Sequence, residues 1–225
     1  MNHPSPQILL SDNHLIAVNK PAGLATQTKG RGSSSLIEIV REWIREEQQK
    51  PGQVYLGLIH PLDRPVAGVV LFARTSKAAN RLSRQISEHA VQKVYRACVE
   101  GVPENKNSTL IHYLRKEKSR KATVFPRPTL DAKQAELTYH VVQSSPTVSE
   151  LEVTLNTDRF NQIRAQLSFI GHPVLGDTLY RSRYKLGPGQ IALYASQLIF
   201  THPVSAEEIT IVCPPPSGWS KHLRA

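Results

Sequence analysis

The chain has 225 residues, of which 40% are hydrophobic and 20% are charged, a composition typical of a folded globular protein. Its 28 Lys and Arg residues against 18 Asp and Glu give a net charge of +10, which favours a polyanionic partner such as nucleic acid. No basic segment followed by an apolar core opens the chain, and no apolar run reaches membrane-spanning length. Neither a secretory signal nor a membrane span is therefore predicted.

The two cysteines, Cys98 and Cys213, lie far apart, each within an apolar segment. This pattern is typical of buried thiols in a reducing compartment, so we expect a cytoplasmic protein. The nine histidines are scattered without ligand-like spacing, so no bound metal is predicted.

The first part of the chain combines short strands with one clear helix. Apolar runs joined by a polar turn predict strands over residues 7–10 and 15–18. The polar segment 26–34 is expected to form a mobile surface loop. A capping box at 35–38 and apolar residues at helical spacing predict a helix over about 36–48, ended by the Pro-Gly pair at 51–52.

The central stretch, residues 54–74, contains two apolar runs on either side of a polar insert. Residues 55–59 and 69–73 each predict a buried strand, and Pro and Gly residues between them impose loop geometry on Asp63. A buried carboxylate must be hydrogen-bonded or paired. The strands alone favour a structural Asp63 that caps its own turn.

A second helix is predicted to start after Thr75 or Ser76, with apolar residues on one face. Its other face carries Lys77, Arg81 and Arg84. These charges indicate a solvated helix face rather than direct RNA contact.

A strand over residues 93–101 carries Tyr95, which is either a packing residue or a ring able to stack on a base and move a proton. Residues 115–127 form the densest basic segment and are flanked by aromatic side chains. This combination suits an RNA backbone with unstacked bases, although a solubilising hairpin loop explains it nearly as well. Further strands are predicted over residues 137–142, 151–155, 191–200 and 208–213.

Arg164 follows an apolar residue at the start of a short predicted helix that Gly171 closes. An arginine beside a buried helix face requires a carboxylate or phosphate partner.

Many short strands and about three helices, without regular alternation, predict an α+β fold with a mixed, largely antiparallel central sheet flanked by helices and loops. No Pro- or Ser-rich linker divides the chain, so residues 1–225 are expected to form a single domain.

The segment His60-Pro-Leu-Asp-Arg-Pro-Val-Ala-Gly68 resembles the His-Arg-Leu-Asp-x-x-Thr/Ser-Gly motif of the RluA-type family of RNA pseudouridine synthases. Further blocks resemble that family in the same order along the chain: Asn19-Lys-Pro-Ala-Gly23, Lys93-x-Tyr95, Asn161-Gln-Ile-Arg164, Gly171-His-Pro-Val-Leu-Gly-Asp177, residues 193–203 and Pro216-Ser-Gly-Trp219. Together they run from about residue 8 to 220.

This resemblance implies an enzyme that converts a uridine within an RNA to pseudouridine, in the pseudouridine synthase fold. The family's nucleophilic aspartate matches Asp63, whose carboxylate attacks either the ribose anomeric carbon or the uracil ring. The base then rotates, and a proton leaves C5 afterwards. The chemistry requires neither a metal nor another cofactor.

The resemblance also implies roles for other residues. Tyr95 matches the active-site tyrosine, which stacks on a flipped uracil and helps to move the C5 proton. Arg164 matches an arginine that pairs with the nucleophile and keeps it ionised. Substrate contacts are expected from His60, Leu62 and Arg64, which surround Asp63, and from Leu198 in the C-terminal strand.

Three departures from the family pattern concern the substrate rather than the catalytic residues. Pro61 stands where the family usually has an arginine that enters the RNA and helps to displace the target base. Phe160 and Asn161 replace the usual Thr or Ser and His, and Ala67 replaces Ser or Thr. We also expect no small basic RNA-binding module of the kind that many relatives carry at the N-terminus.

The sequence therefore predicts an RNA pseudouridine synthase that acts on ribosomal or transfer RNA as a cytoplasmic monomer. The alternative is an RNA-binding protein of the same fold with weak or no isomerase activity, for example one that assists ribosome assembly. A hydrolase that uses Asp63 and a histidine has little support, because nothing places a base beside a nucleophile.

Overall fold

The computed structural model describes residues 5–28, 34–49 and 54–224. These residues contain three α-helices and eleven strands. They form two compact units, residues 1–91 with 195–215 and residues 92–194 with 216–225. That residues 1–225 form a single domain stays a prediction.

The first unit combines antiparallel strands with two helices. Its elements are β1 (Gln7–Ser11), β2 (Leu15–Lys20), α1 (Leu36–Gln48), β3 (Gly57–Leu58), β4 (Ala67–Ala73) and α2 (Ser76–Ser87), followed by most of β10 (Leu193–Thr201) and by β11 (Glu208–Val212). β2 pairs antiparallel with β1 and with β4, and β10 pairs antiparallel with β11. Every residue of β4 is buried, so this strand lies at the centre of the unit's core.

Both helices of this unit begin where the sequence predicts. At the start of α1, the backbone N–H and the hydroxyl of Ser35 donate to Glu38 Oε2 at 2.9 Å and 2.8 Å. At the start of α2, the Thr75 hydroxyl accepts the Ala78 N–H at 3.2 Å. The Pro-Gly pair at 51–52 lies outside the described residues.

The predicted strand over residues 55–59 is present but shorter: Gly57 and Leu58 pair with β4, and the Ile59 N–H donates to the Leu71 carbonyl at 3.2 Å. One edge of β4 is taken by β2, and β10 lies beside β4 further along. β3 is therefore confined to the end of the strand, opposite Phe72 and Ala73. The Tyr55 side chain is 49% exposed instead of buried.

Gly68 permits the close approach of β4 and β10. Its φ is +113°, and a Cβ atom there would lie 2.3 Å from the Ala195 carbonyl oxygen and 2.4 Å from the Ala195 nitrogen. Only glycine fits at this distance. Because Gly68 comes five residues after Asp63, this contact fixes the strand that leaves the Asp63 loop.

The second unit is an antiparallel sheet with one helix. Its elements are β5 (Gln92–Glu100), β6 (Asn107–Lys116), β7 (Ala122–Phe125), β8 (Lys133–Ser144), β9 (Val148–Leu155), α3 (Gln162–Phe169) and a 3-10 turn (Thr178–Tyr180). The strand order is β5-β9-β8-β6-β7, and each neighbouring pair is antiparallel. The basic segment 115–127 therefore forms a hairpin, and the α+β class is confirmed.

The core between α3 and the sheet is small and apolar. It is formed by Leu114, Ala122, Val124, Ala135, Ala165 and Tyr180. Trp219 contributes a second buried cluster, with its ring 4.7 Å from that of Tyr194 and its Nε1–H donating to Glu150 Oε1 at 2.9 Å. Across the ranges described, no helix is both long and apolar enough to cross a membrane.

Candidate functional site

Asp63 lies in the loop between β3 and β4 and is half-buried. The Val66 N–H donates to the Asp63 carbonyl oxygen at 3.0 Å and closes a tight turn. The turn leads directly into the buried strand β4, so the carboxylate is attached to a rigid part of the unit.

The backbone on both sides of Asp63 is held by the segment that follows β2. Thr26 Oγ1 donates to the Leu62 carbonyl at 2.8 Å and accepts the Leu62 N–H at 3.2 Å. On the other side, the Gly23 N–H donates to the Arg64 carbonyl at 2.8 Å, and Arg64 Nε donates to the Gly23 carbonyl at 3.0 Å. Three of these hydrogen bonds fix the peptide groups that flank the carboxylate, and the fourth holds the Arg64 side chain.

The prediction that Thr26 belongs to a mobile surface loop is wrong. Its side chain is only 3% exposed, and its hydroxyl bonds both the N–H and the carbonyl of Leu62. Residues 29–33 of that predicted loop lie outside the described residues.

Lys20 is a further residue of this loop region to which the sequence assigned no role. It is fully buried, and its ammonium group donates to the carbonyls of Pro21, Leu24 and Arg64 at 3.1 Å, 2.7 Å and 3.2 Å. Three acceptors match the three N–H donors of a protonated lysine. Burial lowers the pKa of Lys20 to about 7, and the Asp63 carboxylate opposes this shift. A lysine at the end of a buried strand is the signal that could have revealed it.

The four expected substrate contacts occupy different surroundings in the first unit. His60 and Leu62 are buried, whereas Arg64 is exposed. Leu198 is buried in β10, opposite Ile211 of β11. Their contacts with substrate stay predictions.

Tyr95 and Arg164 belong to the second unit. Tyr95 lies in β5 opposite Val153 of β9, with 7% of its surface exposed. The strand over residues 93–101 is thereby confirmed as β5, while the role of the tyrosine ring stays a prediction.

Arg164 is buried on α3 and makes a two-pronged ion pair with Asp177. Nε lies 2.6 Å from Asp177 Oδ2, and Nη2 lies 2.9 Å from Oδ1. Asp177 is only 1% exposed. Paired buried charges with two parallel hydrogen bonds hold the guanidinium plane in one orientation.

The sequence indicated that Arg164 needs an anionic partner but did not assign Asp177. The signal was present, because Asp177 closes the matched block at 171–177, and a buried Asp is normally paired. That Arg164 also pairs with Asp63 stays a prediction.

Chemically, the Asp63 loop offers a carboxylate on a fixed backbone, and the Arg164 cluster offers an oriented cation. The first group is suited to nucleophilic attack, and the second to stabilising negative charge. In the part of the chain that is described, no three His, Cys, Asp or Glu side chains group as metal ligands would.

Comparison with known proteins gives a consistent picture. A family model described as RNA pseudouridylate synthase matches residues 14–169. A protein of Pasteurella multocida named tRNA pseudouridine synthase C is 32% identical, with 95% of this chain and 93% of that protein covered. Its namesake in Pectobacterium carotovorum is 31% identical, with 91% of this chain covered. The chain spans only 58% of the length of the Pectobacterium protein.

Solved structures share the fold. Human RNA Pseudouridylate Synthase Domain Containing 4 matches with a TM-score of 0.83 at 24% identity, over 97% of this chain and 92% of that one. Human RNA Pseudouridylate Synthase Domain Containing 1 matches with a TM-score of 0.75 at 20% identity, over 96% and 87% of the two chains.

Proposed function

Because the chain belongs to the RNA pseudouridylate synthase family, we propose that it isomerises a uridine within an RNA to pseudouridine. The observation that carries this proposal is the fixed backbone around Asp63, held on both sides by Gly23 and Thr26. A nucleophile must meet its target within a few tenths of an ångström, and a loop held in this way reduces the cost of alignment.

In the proposed reaction, the Asp63 carboxylate attacks either the ribose anomeric carbon or the uracil ring. The bond from N1 to the anomeric carbon breaks, the base rotates, and a bond forms from C5 to the anomeric carbon. Asp63 is released from the anomeric carbon as that bond forms, or from the ring in the second route. C5 then loses its proton and N1 takes one up, which restores the ring. Substrate and product have the same atoms, so the net change is an isomerisation.

Tyr95 and Arg164 are proposed to assist Asp63. The tyrosine ring suits stacking on a flipped uracil, and its hydroxyl suits transfer of the C5 proton. A guanidinium favours an ionised carboxylate and would keep Asp63 nucleophilic at neutral pH. These two roles rest on the matched motifs, in which both residues are retained.

The proposed substrate is a transfer or ribosomal RNA. The relatives bear names of both kinds: tRNA pseudouridine synthase C in Pasteurella multocida, and ribosomal large subunit pseudouridine synthase D in Zymomonas mobilis, which is 28% identical. The net charge of +10 supplies affinity for phosphates but little choice among sequences. We expect a monomer that acts in the cytoplasm.

The test is to incubate purified protein with total cellular RNA from cells that lack it and to map new pseudouridines. We expect one or a few sites to be modified, and Asp63→Asn to modify none while it binds the same RNA equally well. Asparagine has the same shape, so a loss of product can be assigned to the carboxylate. Absence of new pseudouridine in both samples would contradict the proposal.

A second candidate is an RNA-binding protein of this fold without isomerase activity. Pro61 favours it, because this exposed position carries an arginine in the family motif. In cells, an Asp63→Asn protein that restores the phenotype of a deletion would support this second candidate. Failure of Asp63→Asn to restore it supports the isomerase.

A further inference from the structure

Asn161 occupies an unusual position directly before helix α3. Its φ is +54°, in the left-handed region that asparagine tolerates better than most residues. An asparagine at this position normally caps the helix, but the Asn161 side chain makes no such bond. Because the residue is only 7% exposed, its polar atoms need other partners within the protein.

The Asn161 side chain connects Arg164 with the hairpin β6–β7. Its Oδ1 accepts from Arg164 Nη1 at 3.2 Å, and its Nδ2 donates to the Arg120 carbonyl at 3.4 Å. Nδ2 also donates to the Tyr180 hydroxyl at 3.0 Å. The amide orientation is fixed, since a guanidinium only donates and a carbonyl only accepts.

Tyr180 also contacts both Arg164 and the hairpin β6–β7. Its hydroxyl accepts the Ala122 N–H of β7 at 2.8 Å, and its ring centre lies 5.2 Å from Arg164 Cζ. Lys121 Nζ lies 5.3 Å from the same ring. Tyr180 is 3% exposed, so these contacts are shielded from water.

The connected hairpin carries the densest positive charge of the chain. Its turn is closed by the Glu117 N–H donating to the Lys121 carbonyl and by the Arg120 N–H donating to the Glu117 carbonyl. Lys116, Lys118 and Arg120 are exposed on it. The same two side chains, Asn161 and Tyr180, thus contact the end of this turn and the candidate catalytic arginine.

We propose that Asn161 and Tyr180 are positioning residues that hold the Arg164 guanidinium in a fixed relation to the basic hairpin. RNA phosphates bound by the hairpin then present the reacting uridine to Arg164 in one register. The inference rests on the proposed function and adds to it the two residues that connect RNA binding with the reaction. Neither residue contacts the substrate in this scheme.

The donors and acceptor of asparagine suit the contacts made at position 161. The matched family motif has histidine there, and a neutral imidazole offers one donor and one acceptor. Asn161 makes one contact as acceptor and two as donor. Asparagine therefore supplies one N–H donor more than a neutral histidine, and both of its donors are engaged.

The experiment compares Tyr180→Phe and Asn161→Gly with the wild type. Tyr180→Phe keeps the ring and removes the hydroxyl, and Asn161→Gly removes the side chain at a φ that glycine adopts freely. Thr109→Val is the control, since it removes one exposed side-chain hydrogen bond, to Thr138, on β6. Melting temperature, RNA dissociation constant and single-turnover rate of pseudouridine formation are measured below all melting temperatures.

We expect both variants to lose at least tenfold in single-turnover rate, with RNA dissociation constants within twofold of the wild type. Thr109→Val should match the wild type in both. The double variant should lose little more than either single one, because both residues act on the same arginine.

Three outcomes would overturn the inference. Rates within twofold of the wild type would exclude a positioning role. A loss of RNA affinity that accounts for the loss of rate would show that the two residues act in RNA binding and not on Arg164. In both cases the wild type remains active and the proposed function stands. A wild type that forms no pseudouridine would overturn the proposed function, and this inference with it.

Discussion

At the scale of single residues, the position of Asp63 depends on the hydroxyl of Thr26. This group is buried, donates to the Leu62 carbonyl and accepts the Leu62 N–H. Its loss leaves the N–H and the carbonyl of Leu62 without these hydrogen bonds. The loop that carries the proposed nucleophile would then gain freedom next to the reacting atoms.

Thr26→Val should therefore slow pseudouridine formation. An unsatisfied buried N–H costs about 1–3 kcal/mol, and we expect a loss of roughly tenfold in single-turnover rate from misalignment of Asp63. RNA affinity should not change. Thr26→Ser keeps the hydroxyl and should restore most of the rate, whereas equal rates for Val and Ser would contradict this role.

Lys20 gives a prediction about pH. Burial lowers its folded-state pKa to about 7, against an ordinary value of 10.5 in the unfolded chain. Between these two values the unfolded chain binds more protons than the folded one, so stability rises with pH. Relative to Lys20→Met, the wild type should gain about 1 kcal/mol per pH unit between pH 7.5 and 9.5.

Chemical denaturation of both proteins across that range measures the difference. A difference that stays constant with pH would show that Lys20 titrates alike in both states. Lys20→Met should itself be less stable at pH 9, because the buried carbonyls lose the two N–H donors that the neutral amine still offers.

The sequence identified Asp63 and Arg164 as candidates because ordered motifs surround them. It did not identify Thr26, Asp177 or the contacts of Asn161. Thr26 contacts the Leu62 backbone 36 positions away, Asp177 contacts Arg164 13 positions away, and Asn161 contacts the Arg120 carbonyl 41 positions away. Local patterns carry no information on which distant peptide a hydroxyl will meet.

At the scale of elements, the hairpin β6–β7 and helix α2 are two basic elements for which the sequence favours different roles. Lys118 and Arg120 are exposed at the turn of the hairpin, and Lys77 and Arg84 are exposed on α2. The hairpin also places cations against aromatic rings, with Lys116 Nζ 4.5 Å from the Phe160 ring centre. Only the hairpin combines charge with rings suited to RNA.

Lys118→Gln with Arg120→Gln should weaken RNA binding and reduce its salt dependence. Each lost phosphate contact lowers the slope of log K against log salt by about 0.7–0.9. Lys77→Gln with Arg84→Gln removes the same charge from α2 and should leave binding nearly unchanged. Equal losses for the two pairs would mean that net charge alone drives binding.

The starts of helices α1 and α2 were predicted almost to the residue, because their N-terminal caps are local. Ser35, Glu38 and Thr75 contact groups within three positions of themselves. The length of β3 was not predictable in this way, since β10, more than a hundred residues later, lies beside the same strand β4. Sheet edges depend on partners that a local pattern does not contain.

At the scale of the whole molecule, each of the two units includes residues that come late in the chain. The first includes residues 195–215, and the second includes residues 216–225. Trp219 secures the latter through its hydrogen bond to the buried carboxylate of Glu150 and its contact with Tyr194.

Trp219→Phe should destabilise the second unit. The phenyl ring keeps the aromatic contact but loses the N–H donor, and a hydrogen bond to a charged group contributes about 1.5–3 kcal/mol. Trp43→Phe, on α1 of the first unit, is the matched control and should have a smaller effect. Hydrogen exchange should accelerate in β9 with Trp219→Phe and not with Trp43→Phe.

The path of the chain through the two units has a consequence for synthesis on the ribosome. Domains usually fold in the order in which they are translated, beginning at the N-terminus. Here the buried strand β4 is completed only when Ala195, whose backbone packs against Gly68, has been made. The carboxylate of Glu150 likewise gains its hydrogen bond only after Trp219 has been made. A nascent chain that stalls before residue 195 leaves both units unfinished, with β4 uncovered along one edge. Premature termination before residue 195 should therefore yield protein for degradation rather than a shortened enzyme.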